Sequence, residues 1–254
     1  MLKTRGFWNY PKCFAFLLTR YIPDQGKVIS VSETGLDVRH LESPLIAILQ
    51  SRLVVERMGS RCRKLMAAVQ EQVDTGLENE KEIQQLFREE ESFDRIQDEI
   101  INFTSKLLSK NVTSDIAESA REQIRIADEI ESVSDYLISL LKSNLKLKQD
   151  NLKIPSDISA GLRRIHETVI ELFQNVNCAY ANRVKSRYFL DDTYTVCRNL
   201  TVELKNLRSR FITGISEEKI DPIMIVAVNS QLTFYRRIWE HLQNIAEAFC
   251  VLRN

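Results

Sequence analysis

Glycine and proline are scarce in this 254-residue chain, at 7 and 5 residues. Turn-rich all-β folds need such residues every ~8–12 positions, so a sandwich or barrel is excluded and long helices are favoured. Net charge is missing as well. The 35 basic and 35 acidic residues sum to +0, which gives no global attraction to nucleic acid, and no nucleic-acid partner is expected. No apolar run reaches the ~20 residues of a membrane span. The short apolar patch at 14–18, between Lys12 and Arg20, lacks a signal-peptide cleavage site. The 5 cysteines (Cys13, Cys62, Cys178, Cys197 and Cys250) are scattered and odd in number, a pattern of reduced thiols in a cytosolic protein. The last four fall on or beside apolar faces, which predicts core packing. There is no GxSxG, no glycine-rich phosphate loop and no GxGxxG, and His166-Glu167 is not completed to HExxH. A non-enzymatic protein is expected.

What the chain does have is helical periodicity. Hydrophobic residues make up 44%, ample for a core. Residues 1–43 hold Pro11, Pro23, Gly6, Gly26 and Gly35 and show no sustained period. They read as an irregular linker with one short helix around 13–21. From there apolar residues recur at steps of three and four. Leu45, Ile48, Leu49, Leu53, Val54, Met58, Cys62, Leu65, Met66 and Val69 predict a helix from Ser43-Pro44 to about Val73. A second runs from about Asn79 through Leu107, and a third from about Asp115 to Gln149, with Ser114 as its cap. Pro155 and a Ser156 cap then mark a boundary. The fourth helix is expected from Asp157 to about Lys185, with a turn at 188–192. A fifth follows over 193–214, and a sixth, capped by Ser216, over 217–251. Links this short make neighbouring helices antiparallel. The expected fold is all-α, two tandem antiparallel three-helix bundles over 44–150 and 151–254. Regular breaks argue against one long coiled coil.

The stretch 88–100, REEESFDRIQDEI, carries the strongest chemical signal. On a helix Glu90, Asp94 and Asp98 lie four apart on one face, where like charges repel by a few tenths of a kcal/mol per pair. The next helix offers Asp128, Glu131 and Asp135. Carboxylate pairs on adjacent antiparallel helices suit a hard cation such as Mg²⁺, Ca²⁺, Mn²⁺ or Fe³⁺. The alternative is a pair of solvated faces balanced by Arg95, Arg121 and Arg125. His241 is expected to be packed or capped, and His40 to have no chemical role. Charge is also separated along the chain. Acids crowd 78–99 and bases crowd 183–210, a polarity suited to steering association with another protein or with a second copy.

Two segments carry a family resemblance. Residues 126–141, IADEIESVSDYLISLL, and 234–248, FYRRIWEHLQNIAEA, stand where PhoU-type proteins place a motif like ERIGDHxxNIAE, on the third helix of each three-helix repeat. Arg237, Ile238, His241, Asn244, Ile245, Ala246 and Glu247 match the second copy. Glu131 and Asp135 keep the E-x-x-x-D spacing of the first, and Glu90 and Asp94 match the pair on the preceding helix. Residues 35–49, GLDVRHLESPLIAIL, resemble the LDxRxLxxPxxAL segment that joins the membrane part to the PhoU-like domain in sodium/phosphate cotransporter proteins. Leu36, Asp37, Arg39, Leu41, Pro44, Ala47 and Leu49 carry that likeness, and 17–24, LLTRYIPD, resembles the end of the preceding linker.

The likeness covers about Leu17 to the C-terminus. It implies a regulator of phosphate transport at the cytoplasmic side of a phosphate transporter or other membrane-associated protein, peripheral to the inner face of the membrane. Self-association is a further expectation. It also implies a metal (Mg, Mn, Fe or Zn) at Glu90, Asp94, Asp98, Asp128, Glu131 and Asp135. The second repeat departs from the pattern. Trp239-Glu240 replaces Gly-Asp, Arg236 stands at an acidic position, and Thr201 and Lys205 replace the pair on the fifth helix, so no second metal cluster is expected. The alternative function is a metal-independent helical adaptor.

Overall fold

The computed structural model describes residues 33–217 and 220–250. The short helix expected around 13–21 and the likeness at 17–24 lie outside them. Six long helices follow one another: α1 (Pro44–Asp74), α2 (Glu80–Leu108), α3 (Ser114–Gln149), α4 (Ser156–Ala181), α5 (Arg187–Glu217) and α6 (Pro222–Cys250). No strand occurs among the described residues. The fold is all-α, with three-helix groups α1–α3 and α4–α6 in tandem. Helices within each group pack on one another, and the groups join through α3 against α6 and α1 against α4. The described residues form one compact unit.

Breaks occur where the chain gives local reasons for them. After α1, Gly76 and Leu77 both take positive φ (79° and 59°), and the Leu77 amide returns to the Gln72 carbonyl at 2.7 Å, a reversal that satisfies end carbonyls. Asn79 then accepts from the Glu82 amide at 3.3 Å and caps α2. Pro44 occupies the first turn of α1, where its missing N–H costs nothing, although Ser43 makes no side-chain cap bond. Thr113 and Pro155 hold the positions before α3 and α4, likewise without side-chain cap bonds.

Two boundaries differ from expectation. The fourth helix ends at Ala181, because Arg183 (φ 56°) reverses the chain and the Val184 amide returns to the Ala179 carbonyl at 2.9 Å. Residues 188–192 are therefore helical. Phe189 seats against Phe249 with ring centroids 6.0 Å apart, and Arg187 pairs with Asp191 one turn on. At the other end, α5 continues through Glu217, and α6 begins at Pro222. The Asp221 carboxylate accepts there from the Ile223 amide at 2.8 Å. Proline cannot sit inside a helix but suits its first position, so it moves the start of α6 downstream.

A third difference concerns α1. Its buried positions include Ala47, Ile48, Ser51, Val54, Val55 and Met58, whereas Leu45, Leu49 and Leu53 face water. The stretch before α1 packs on the bundle. Asp37 caps a short 3-10 turn, Val38–Glu42, which sets Leu41 among Ala47, Ile48, Phe103, Leu107 and Ala120.

Buried polar groups tie the two groups together. His166 on α4 is 1% exposed and lies 3.0 Å from both the Met66 carbonyl of α1 and the Tyr235 hydroxyl of α6. The neutral ring satisfies both contacts, donating to the carbonyl and accepting from the hydroxyl, and burial holds its pKa below 6.5. At Gly59 the helices approach closely, since a Cβ there would stand 2.1 Å from Asn177 Oδ1. Among the described residues, no helix is long and apolar enough to cross a membrane.

Candidate metal centre

Helices α2 and α3 run antiparallel, so residues whose numbers rise on one fall on the other. Glu90 and Asp94 of α2 therefore come opposite Glu131 and Asp135 of α3. Carboxylate oxygens of Asp94, Glu131 and Asp135 all lie within 4.8 Å of one another, and among the described residues no other group of His, Cys, Asp or Glu converges in this way. Glu90 adjoins them, within hydrogen-bonding reach of Asp135.

The electrostatics follow from this crowding. Burial pushes the Glu90 carboxyl up to about 7. The Lys142 ammonium opposes the shift, and the carboxylates of Asp135 and Asp94 add to it. Burial likewise pushes Glu131 up to about 7, with Asp135, Asp94 and Asp128 adding to the rise. Asp94 is also raised, by burial and then by Asp135 and Asp98. Like charges held together disfavour ionisation, so these carboxyls keep their protons to higher pH than isolated ones.

Arginines near the cluster make their ion pairs with other acids, although the charge of Arg95 still acts to lower Asp94. Arg95 reaches Glu33 at 2.7 Å, and Arg61 pairs with Glu89 at 2.8 Å. Arg125 stands 4.0 Å from both Glu129 and Glu247. The Glu33 network, which also includes the Ser92 hydroxyl, was not visible in the sequence. Nor was Lys142, although seven residues beyond Asp135 it lies on the same face of α3.

Two of the six expected ligands stand apart from the convergent three. Asp128 is exposed and accepts from Gln97 Nε2 at 2.9 Å. Asp98, also exposed, acts on Asp94 through its charge. The donors that do converge are all carboxylate oxygens, exposed at Asp94 and Asp135 and half-buried at Glu131. Such a set fits a hard cation that keeps several waters, Mg²⁺ or Mn²⁺ or Fe³⁺, better than Zn²⁺, which favours nitrogen and sulfur.

The motif on α6 has a different use. His241 Nδ1 lies 2.7 Å from Glu129 Oε2, and Asn244 donates to the same oxygen at 3.1 Å. Glu247 accepts from the Tyr194 hydroxyl at 3.0 Å. These contacts join α6 to α3 and α5, and His241 also packs against Tyr136 with ring centroids 5.6 Å apart. His40 Nδ1 lies 2.8 Å from Gln50 Oε1.

Cys62, Cys197 and Cys250 are buried as expected, but Cys178 is exposed. It sits two residues past buried Val176, a step of about 200° that turns it to the outer face of α4.

No protein-family model matches the chain, and no curated protein matches it. Its fold is similar to that of PhoU from Pseudomonas aeruginosa, solved by crystallography. The two superpose with a TM-score of 0.64 over 83% of this chain and 95% of that one, at 15% sequence identity.

Proposed function

We propose that this chain is a non-enzymatic, PhoU-like regulator of phosphate transport, working at the cytoplasmic face of a membrane transporter and governed by a metal in its first repeat. The observation that carries this reading is the convergence of Asp94, Glu131 and Asp135 on one spot, with Arg95 and Arg61 committed to other partners. The six-helix fold shared with a PhoU and the resemblance of the α3 and α6 segments support the regulatory part.

In this reading Asp94, Glu131 and Asp135 hold the ion, and Glu90, beside Asp135, loses its proton as the ion enters. The metal supplies positive charge that fixes α2 against α3, and the surface of those helices relays occupancy to the partner. Mg²⁺, Mn²⁺ and Fe³⁺ are the ions the donors suit best.

Metal analysis tests the first half. Protein stripped with chelator and reloaded should retain ion, and the double variant Asp94→Ala/Asp135→Ala should retain none; equal content in the two removes the metal. Co-sedimentation with membranes that contain a phosphate transporter, with and without the ion, tests the second. Metal-dependent recovery of that transporter is the expected result. Recovery that ignores the metal leaves a metal-independent helical adaptor.

A further inference from the structure

Residues 33–42 form a strap against α1 and α2, and side chains of those helices hold its backbone. The amides of Glu33 and Thr34 donate to the two carboxylate oxygens of Glu99 on α2, at 3.1 and 3.3 Å, and the Thr34 hydroxyl donates to the second of them. From α1, Arg57 donates to the Thr34 carbonyl at 3.1 Å and Gln50 to the Gly35 carbonyl at 2.9 Å. Thr34 is 5% exposed as a result. From Leu36 onward apolar side chains of the strap pack on the bundle, whereas its front, Glu33–Gly35, is held through these polar contacts. A segment with few buried apolar contacts opens locally, at a lower free energy than the whole fold.

The front end also carries a charge to α2. Glu33 Oε1 accepts from Nε of Arg95 at 2.8 Å and lies 2.7 Å from its Nη2. The other Glu33 oxygen accepts from the Ser92 hydroxyl and stands 3.7 Å from Arg61. The two arginines differ in what they keep when Glu33 departs. Arg61 keeps Glu89, at 2.8 Å, and its place over the Phe93 ring. Arg95 keeps no comparable pair, since among the described residues Glu33 is its ion-pair partner. It follows Asp94 directly in α2, has Glu91 and Glu99 one turn away on either side, and its charge already acts on Asp94.

We infer that Arg95 is shared between the strap and the carboxylate seam of α2 and α3, so that neutralising the seam closes the strap and a closed strap favours a cation in the seam. While the strap is closed, Glu33 draws the guanidinium to its own side. When the strap opens, the guanidinium is left among the acids of α2 and supplies them with positive charge, in competition with an added cation. Neutralising Asp94 removes one competitor for Arg95 and leaves it to Glu33. That a bound metal is the neutralising agent rests on the function proposed above; the charge coupling itself does not. The coupling is reciprocal, so the ion closes the strap by the same factor by which closure tightens the ion.

Hydrogen exchange of the Glu33 and Thr34 amides in the full chain at pH 8 reads strap opening, because both donate to Glu99. In metal-free protein Asp94→Asn should slow that exchange ~5-fold, the low end of such couplings, and Mn²⁺ should slow it similarly in the wild type. The Val184 amide, in the turn between α4 and α5, is the control and should not change. Glu33→Gln releases Arg95 without touching the seam and should weaken Mn²⁺ binding, measured by calorimetry, ~5-fold by the same reciprocity. Arg95→Gln should remove most of that difference. Exchange that ignores both Asp94→Asn and Mn²⁺ overturns the coupling, as does equal Mn²⁺ affinity in wild type and Glu33→Gln. So does an Asp94→Asn effect of full size in an Arg95→Gln background, which would take Arg95 out of the path. If the wild type binds no Mn²⁺ while Asp94→Asn still slows exchange through Arg95, the metal of the proposed function falls and the coupling of strap to seam stands.

Discussion

The α2–α3 seam and the α5–α6 seam occupy the same place in the two three-helix groups and have opposite electrostatic characters. In the first, Glu90 and Asp94 face Glu131 and Asp135, and Lys142 is the cation that acts on Glu90. At the corresponding positions of the second stand Thr201 and Lys205 on α5, and Arg236 and Glu240 on α6. There the charges settle locally. Arg236 reaches Glu240 at 2.7 Å and Arg237 reaches it at 3.1 Å, while Thr201 donates to the Cys197 carbonyl at 2.8 Å. Trp239 beside them is buried. One topology therefore supports two solutions. The second seam is complete as it stands, and the first is left short of positive charge.

The largest expected effect comes from removing ligands on the first seam. Asp94→Ala/Asp135→Ala takes away two of the three convergent carboxylates. Loss of an outer-shell group alone costs ~10–100-fold in affinity, so this pair should weaken Mn²⁺ binding, measured by titration calorimetry, by more than ~100-fold. At about 100 times the dissociation constant, metal should stabilise the wild type by ~2.7 kcal/mol and leave the variant's melting temperature unmoved. Arg236→Ala/Glu240→Ala on the second seam should leave metal affinity unchanged. A comparable loss there would erase the distinction between the seams.

A second effect is in pH. Glu90 and Glu131 rise from 4.5 to about 7 on folding. The folded protein thus binds their protons more tightly than the unfolded chain does. Their contribution is fully present below about pH 4.5 and is lost as pH climbs through about 7. His166 acts in the other direction, because its pKa falls from 6.5 on folding. Its contribution is present above 6.5 and is lost as pH drops towards the folded value. Denaturant unfolding of metal-free protein should show Glu90→Gln/Glu131→Gln gaining on the wild type as pH rises from 5 to 8. Added metal should shrink that gain in the wild type's favour, because it binds the ionised carboxylates. An unchanged difference across that range would mean that the seam is not short of charge.

The helices and the acidic seam were legible in the sequence for one reason, their local period. Ile83, Leu86, Phe87, Phe93 and Ile96 bury as their spacing predicts, and the four-residue steps of Glu90–Asp94 and Glu131–Asp135 survive into the fold. What escaped depends on contacts distant in the chain. On α1, Leu45, Leu49 and Leu53 recur at steps of four and Ile48, Val55 and Cys62 at steps of seven, both of them helical spacings, so periodicity alone could not say which stripe meets the core. The end of α4 was misplaced because Arg183 takes positive φ with no glycine to announce it, and because Phe249, far along the chain, holds Phe189 in α5. Glu33 and Arg95 lie too far apart in sequence for their ion pair to be read from spacing.

The smallest expected effect is the most discriminating about stability. Arg236→Ala on the second seam removes an exposed pair at one helical turn, of a kind that contributes ~0.3–0.5 kcal/mol, and Arg237 remains beside Glu240. Its melting temperature should fall by only about 1–2 °C, given ~2–4 °C per kcal/mol for a chain of this size. Asp94→Asn on the first seam removes a charge as well, but there the charge is opposed by its neighbours. In metal-free protein at pH 8 that change should raise the melting temperature, and with saturating Mn²⁺ it should lower it. Scanning calorimetry of the two single variants, with and without the ion, therefore reads a sign rather than a magnitude. A fall for Asp94→Asn in both conditions would mean that the first seam is as self-contained as the second.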